Sequence, residues 1–392
     1  MTDTLIAPSR GFETVEFKTR TEALQAHMAE QNIDVVFFTT EPEFRYFSGF
    51  RSQFWESPTR PWFLVIPVSG KPIAVVPEIG AAGLRQTWIE DVRSWPSPRP
   101  EDDGISLLAD TLSSCAKGSG CIGAMMGPET HLRMPAANFA LLQEELSQHF
   151  LVDVSLIIRA LRSVKSEAEI AKIRFACEVT AAGFDFLLEH LQLGMTEREA
   201  CKAMHLEMLR LGADACPYLI SASGQSGYDN IIMGPTDRKL GSGDVLIIDT
   251  GANFDGYFSD FDRNYAFGHV DALTVDAYDA VYNSTEAGLR IAAPGRTTGE
   301  VWQAMWSVLE KAGALGNDVG RMGHGLGMQL TEWPSNVPNG DVELQAGMIL
   351  TLEPGMTYAP GKMMVHEDNI LITENGCELL HKRAWRNLPI IG

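Results

Sequence analysis

Over the first 155 positions the spacing of apolar residues changes repeatedly. In "RTEALQAHMAEQNI" (20–33), Leu24, Met28 and Ile33 fall at helical spacing, and the segment runs into the β-rich "DVVFFTT". "PWFLVIPV" and "PIAVVPE" read as two more strands joined by the turn "SGK". "GISLLADTLSSCAKG" and "PAANFALLQEELSQHF" have helical patterns on either side of strand-like "CIGAMMG". This alternation predicts a small α/β domain. The Arg- and Trp-rich "FRSQFWESPTRPWF" interrupts it and has two readings. It is a surface loop with an aromatic anchor, or a rim where Arg51, Trp55 and Arg60 meet a charged group of a substrate.

A second organisation begins near residue 159. Ser166 and Glu169 form a capping box at the head of a long amphipathic helix running towards Leu191. The domains are therefore expected at 1–158 and 159–392. Within the second, "LEHLQLGMTEREACKAMHLEMLRLGA" (188–213) aligns without gaps to "LRIAAPGRTTGEVWQAMWSVLEKAGA" (289–314). Gly194 matches Gly295, Thr196 matches Thr297 and Glu199 matches Glu300, at a constant offset of 101 residues. Both copies read as a helix with a capping box and a glycine stop, and strand-like runs follow each. Two related halves facing each other are expected.

The strand-like runs of this region carry polar residues. Asp249 closes the apolar run Val245, Leu246, Ile247 and Ile248, and Asp260 follows a hairpin, "TGANFDGYFS", whose turn Gly251 and Gly256 permit. His324 lies in "GHGLG", Glu353 in "LEPGM" and Glu367 in "VHEDN". Asp249 alone reads equally as a helix cap, a solvated strand end or a ligand. Taken in order, the five residues form a hard, oxygen-rich set that repels itself unless cations neutralise it. Such a set suits divalent Mn, Co, Fe or Zn.

Composition narrows the partners. The 392 residues suffice for two cores, and 45% apolar content is that of an ordinary globular chain. A net charge of −20 disfavours nucleic acid and anionic membranes. The six cysteines show no CxxC pair or zinc-finger spacing and read as reduced, small hydrophobes. "MTDTLIAPSRGFETVEF" has no signal-peptide pattern, and no run of about 18 apolar residues occurs, so a cytoplasmic location is expected.

The ordered motifs "DTGA…GYFSD", "GHGLG", "LEPGM" and "HEDN" resemble the pita-bread metallopeptidases, which include aminopeptidase P, prolidase, methionine aminopeptidase and creatinase. The match spans about residues 160–385. It implies an N-terminal creatinase/prolidase-like α/β domain followed by a pita-bread catalytic domain, a duplicated α+β unit. It also implies that Asp249 binds one metal, that Asp260 and Glu367 bridge two, and that His324 and Glu353 bind the second. A bridging water or hydroxide would attack the substrate carbonyl, and Glu353 would take its proton and pass it to the leaving nitrogen. Relatives of this type pair as homodimers, so Arg51 and Trp55 would act in trans on a neighbouring subunit's site.

Several positions depart from the family pattern. Thr331 stands where a second histidine is usual, Ile232 and Met233 where another precedes the "PTDR" turn, and Val365 where an arginine is common. Asp262 replaces a small hydroxyl residue; it reads as a structural partner of Arg263 or as an extra carboxylate beside the metals. Glu332 is a candidate substrate contact. His366 is another, although strand alternation turns it away from Glu367. The leading expectation is an Xaa-Pro dipeptidase or aminopeptidase acting on a short peptide. The alternative is a relative specialised for a small metabolite, of the creatinase, ectoine hydrolase or dimethylsulfoniopropionate lyase kind. A non-catalytic binding protein is the third reading, and retention of the whole ligand set argues against it.

Overall fold

The computed structural model describes residues 5–317 and 320–392. The first four residues, part of the stretch read for a leader, lie outside them. The chain divides into two compact units: Gly11–Arg162, and Ser163–Gly392 together with the described residues up to Arg10. That opening segment is tied to the second unit. The Arg10 guanidinium pairs with Asp214 at 2.6 Å and stacks 4.4 Å over the Phe254 ring, and the Lys172 ammonium donates to the Ser9 carbonyl at 2.5 Å.

In the N-terminal unit the alternating pattern becomes a six-stranded sheet. Its order is Asp91–Trp95, Ile73–Pro77, Phe63–Pro67, Val35–Phe38, Cys121–Ala124 and Phe150–Asp153. Phe63–Pro67 pairs antiparallel with both of its neighbours, and the remaining ladders are parallel. The first helix spans Thr14–Glu30, starting earlier than the apolar spacing suggested, because Phe17 packs inward about two turns ahead of Leu24. A helix at Glu41–Ser48 was not apparent from the sequence. Its apolar residues Phe44, Tyr46 and Phe47 crowd into less than two turns, too short a run for a period to show.

The second unit shows the duplication in its backbone. Helices Glu197–Leu211 and Thr298–Lys311 both begin with complete capping boxes, Thr196 with Glu199 and Thr297 with Glu300. Gly212 and Gly313 follow them in left-handed conformation. The correspondence continues beyond the aligned stretch: Ala215 and Gly316, 101 apart, each form an isolated bridge, to Asn253 and Thr357, whose own offset has grown to 104. Each half contributes a sheet. The first runs Ile390–Ile391, Phe261–Phe267, Asp244–Thr250, Leu219–Gln225, and the second Glu332–Ser335, His324–Gly325, Ile349–Leu352, Asp368–Thr373, Gly376–Leu379. Val245 and Ile247 from the first share one buried cluster with Leu350, Leu352, Ile370 and Ile372 from the second. No helix among the described residues is long and apolar enough to cross a membrane.

Each half also carries a hairpin beyond its central strands: Asn253–Phe254 with Tyr257–Phe258, and Gly355–Ala359 with Lys362–Val365. In the first, Asp255 and Gly256 both take positive φ, the conformation of a two-residue Asp-Gly turn. Asp249 and Asp260 lie before and after that hairpin, and Glu353 and Glu367 lie before and after the other. The duplication therefore delivers two pairs of carboxylates to the inner side of the unit.

If the two capped helices are equivalent, Thr196→Ala and Thr297→Ala should each cost about 0.5–2 kcal/mol of unfolding free energy. Urea denaturation of the two single variants checks this. A loss at one site and none at the other would contradict the equivalence.

Candidate metal centre

Asp260, His324 and Glu367, all buried, offer ligand atoms within 4.8 Å of one another. His324 sits on a two-residue strand after Gly323, whose φ of +133° and close approach to the Thr351 carbonyl leave no room for a side chain. The imidazole Nδ1 lies 2.8 Å from the Gly325 carbonyl, which assigns the proton to Nδ1 and leaves Nε2 as an acceptor. Nε2 lies 3.4 Å from Asp260 Oδ2 and 3.8 Å from Glu353 Oε1. Asp260 is held from three directions. Its backbone N–H donates to Asn369 Oδ1 at 3.0 Å, its carbonyl accepts from Asn369 Nδ2, and Tyr218 Oη donates to its Oδ1. The Asn369 clamp fastens the first half's carboxylate to a strand of the second.

Asp249 faces the same region from the end of its strand, and Glu353 follows Leu352 directly. Arg321 Nε donates to Glu353 Oε1 at 3.3 Å, and its Nη2 donates to Thr331 Oγ1 at 3.3 Å. Behind Glu367 lies a charged hub centred on fully buried Asp368. Arg263 Nη2 donates to it at 3.0 Å while Nη1 holds the Glu367 carbonyl at 2.9 Å; Arg383, His366 and His381 complete its surroundings. Burial would raise Asp368, but His366, Arg263, His381 and Arg383 outweigh that and hold it below its ordinary range. The anchor for Glu367 is thus an ionised carboxylate.

Among the inner carboxylates burial outweighs the cations: His324 and Arg321 oppose it at Glu353, and Arg263 at Asp262. Burial, followed by repulsion from Asp260, pushes Asp249 and Glu367 well above their ordinary values, and Glu353 is raised as well. Burial raises Asp262 to about 8. Burial would lower His324, yet Glu353 and Asp260 reverse that and raise it. Asp249 Oδ1, Asp262 Oδ1 and Glu367 Oε1 are buried with no hydrogen-bond partner. Buried anionic oxygens left unpaired are costly, and divalent cations are what such a set accommodates. The residues present fit a metal.

The remaining candidates named from the sequence divide. Glu332 Oε2 pairs with Lys165 at 3.3 Å, both side chains buried, and its Oε1 accepts from the Gln329 N–H, so this carboxylate is committed to an internal ion pair. His366 points to the helix Ala272–Ile291, with Nδ1 2.8 Å from Thr285 Oγ1 and its ring against Tyr282, on the other side of the chain from Glu367. Trp55 is buried in the N-terminal unit between Phe44 and Trp62 with Arg133 over its face, the arrangement of an aromatic anchor, while Arg51 is exposed. The Arg263 guanidinium donates to Asp368 and to the Asp262 and Glu367 carbonyls and not to the Asp262 carboxylate, on which it acts only through its charge. Tyr218, Asn369 and Arg321 join the site without a motif of their own. Tyr218 immediately precedes the strand that pairs with that of Asp249, and Asn369 ends the "HEDN" motif; each position is visible in the sequence, but its partner is not.

The profile of Metallopeptidase family M24 matches residues 171–374, more than half of the chain. The chain belongs to metallopeptidase family M24. A Creatinase/Prolidase N-terminal domain profile matches residues 20–164, so the two-part architecture expected from the motifs is present. A probable dipeptidase PepE of Mycobacterium bovis is 29% identical over 374 residues, covering 94% of this chain and 95% of that protein. Among solved structures, dipeptidase PepE from Mycobacterium ulcerans superposes with a TM-score of 0.85 at 28% identity, covering 97% of this chain and 99% of that one. A prolidase from Thermococcus sibiricus gives a TM-score of 0.87 at 25% identity, covering 97% of this chain and all of the other. This M24 chain is a metallohydrolase with a pita-bread catalytic unit.

The raised groups set the pH response of the metal-free protein. An acid whose folded pKa lies above its unfolded value destabilises the fold as pH rises between the two, and His324, raised when folded, has the same sign. His366 and His381, lowered by burial to about 3 and about 4, act oppositely, but only below their ordinary value of 6.5. From pH 6.5 to about 8, where Asp262 titrates, the metal-free Tm should therefore fall. Saturating divalent metal should remove the fall, because the cation replaces the protons. Thermal melts at both pH values, with and without metal, test this; a flat or rising metal-free Tm contradicts the raised carboxyls.

Proposed function

We propose that the chain is a dinuclear metal-dependent peptidase of the Xaa-Pro dipeptidase or aminopeptidase type. The observation that carries this is the convergence of Asp260, His324 and Glu367 within 4.8 Å, with Asp249 and Glu367 oxygens left unpartnered beside them. The dipeptidase and prolidase names of its relatives support a short-peptide substrate. Asp249, Asp260, His324, Glu353 and Glu367 would hold two divalent cations, Mn, Co, Fe or Zn. Those ions supply Lewis acidity towards the scissile carbonyl and lower the pKa of water.

The chain's own groups do the rest. Glu353, half-buried and raised, accepts a proton at its carboxylate and returns it to the leaving nitrogen, the task of a general acid–base with a lifted pKa. Arg321 Nε fixes the orientation of Glu353 Oε1. The same guanidinium, reaching Thr331, provides a permanent cation where relatives place a histidine and polarises the substrate carbonyl from there. The Nδ1–H of His324, donating to Gly325, keeps Nε2 directed at the cluster.

A second reading is a relative specialised for a small metabolite. It is favoured by Thr331 and by Ile232 and Met233, 80% and 59% exposed where a family histidine is expected. A panel of Gly-Pro, Ala-Pro, creatine, ectoine and dimethylsulfoniopropionate, run with each metal, separates the two. Turnover of the dipeptides is expected. Silence on dipeptides with turnover of a metabolite would transfer the assignment.

Two variants test the roles within this scheme. Asp260→Ala should lose both retained metal and turnover. Glu353→Gln should lower kcat by about 10²–10⁴-fold. Wild-type rates in either variant would refute the assigned role.

A further inference from the structure

We propose that Asp262 is an additional donor to the metal centre, acting beside Asp249. This rests on the dinuclear reading above and goes beyond its five-residue ligand set.

The strand register carries the inference. Asp262 lies directly across from Asp249 in the antiparallel ladder, so the two side chains share one face. In the second half, Leu352 lies across from Asp368, and the His366 N–H donates to the Pro354 carbonyl at 3.2 Å. Continued by one residue, that ladder sets Glu353 opposite Glu367. The cross-strand relation that joins Glu353 to Glu367 in one half therefore joins Asp249 to Asp262, and not to Asp260, in the other.

Burial and partnership agree. Asp262 is 2% exposed, and its Oδ1 has no hydrogen-bond partner, in the same condition as Asp249 Oδ1 and Glu367 Oε1. Arg263, its neighbour in sequence, projects to the opposite face and is occupied by Asp368 and the carbonyls of Asp262 and Glu367. Asn264, next on the Asp262 face, is engaged by Tyr228 and the Val365 carbonyl. Asp260, Asp262 and Glu367 are buried and Asp249 and Glu353 half-buried beside them; Arg321 is bound to Glu353, and Arg263 acts on Asp262 by its charge without a hydrogen bond to the Asp262 carboxylate. An unpaired buried carboxylate is costly, and a cation beside Asp249 removes the cost. An added carboxylate also makes the centre harder, which favours Mn over Zn.

The test uses full-length protein with Asp262→Asn, which keeps the shape, and Asp262→Ser, which installs a small hydroxyl. Chelator competition would measure Mn(II) and Zn(II) binding, and visible absorption of the Co(II)-loaded protein would report the ligand field. Metal-free melts would verify folding. In folded variants, Mn(II) should bind about 10–100-fold more weakly. Zn(II) should lose less, and the Co(II) bands should shift, which a purely structural role for Asp262 would not produce. Unchanged Mn(II) affinity and Co(II) bands, in variants that fold and a wild type that binds two ions, overturn the role of Asp262 alone. A wild type that holds no divalent cation overturns the metal reading and this proposal together.

Discussion

The unit formed by Ser163–Gly392 depends on keeping several like-charged groups out of water and close together. Asp249, Asp260, Asp262, Glu353 and Glu367 are carboxylates that gain nothing from one another and lose hydration by being buried. Their neighbours show how the chain tolerates this. Asn369 grips the backbone of Asp260 from both sides, Tyr218 caps one of its oxygens, and Arg263 holds the Glu367 carbonyl. These contacts fix the main chain while leaving Asp249 Oδ1, Asp262 Oδ1 and Glu367 Oε1 buried without partners, which is the condition of a cation site.

Asp368 is the counterweight. It is fully buried, yet stays ionised because Arg263 and Arg383 face it, with His366 and His381 close by. Adjacent residues of one strand segment therefore have opposite electrostatics: Glu367 is raised by burial and neighbouring acids, and Asp368 is lowered by cations. Alternation of side chains explains the contrast, since neighbouring residues project to opposite faces. The same rule separates Asp262 from Arg263, and it directs His366 to Thr285 and Tyr282 instead of to the substrate side.

Duplication supplies the geometry economically. Each half offers a central strand, a hairpin and a return strand, and each brings carboxylates to corresponding places. The halves then diverged in detail. The second adds His324 on a short strand with glycine at both ends, and the first adds Asp262 across from Asp249. The metallopeptidase family assignment accounts for what the halves share, and those two residues mark what each adds.

Much of this was legible in the sequence, because much of it is local. Capping boxes join residues three apart, so Ser166, Thr196 and Thr297 announced their helices, and the offset of 101 needed only comparison of the chain with itself. The order of Asp249, Asp260, His324, Glu353 and Glu367 pointed to family and chemistry before any coordinate, since each sits in its own short motif. What only the tertiary structure decided are pairings between distant positions. Glu332, a candidate substrate contact by its motif, is joined to Lys165 across 167 residues. Asn369 is joined to Asp260 across 109 residues. Asp262 stood beside an arginine in sequence and across from an aspartate in space. Motif and period are properties of neighbours along the chain; which charge meets which across a sheet is set by register and packing.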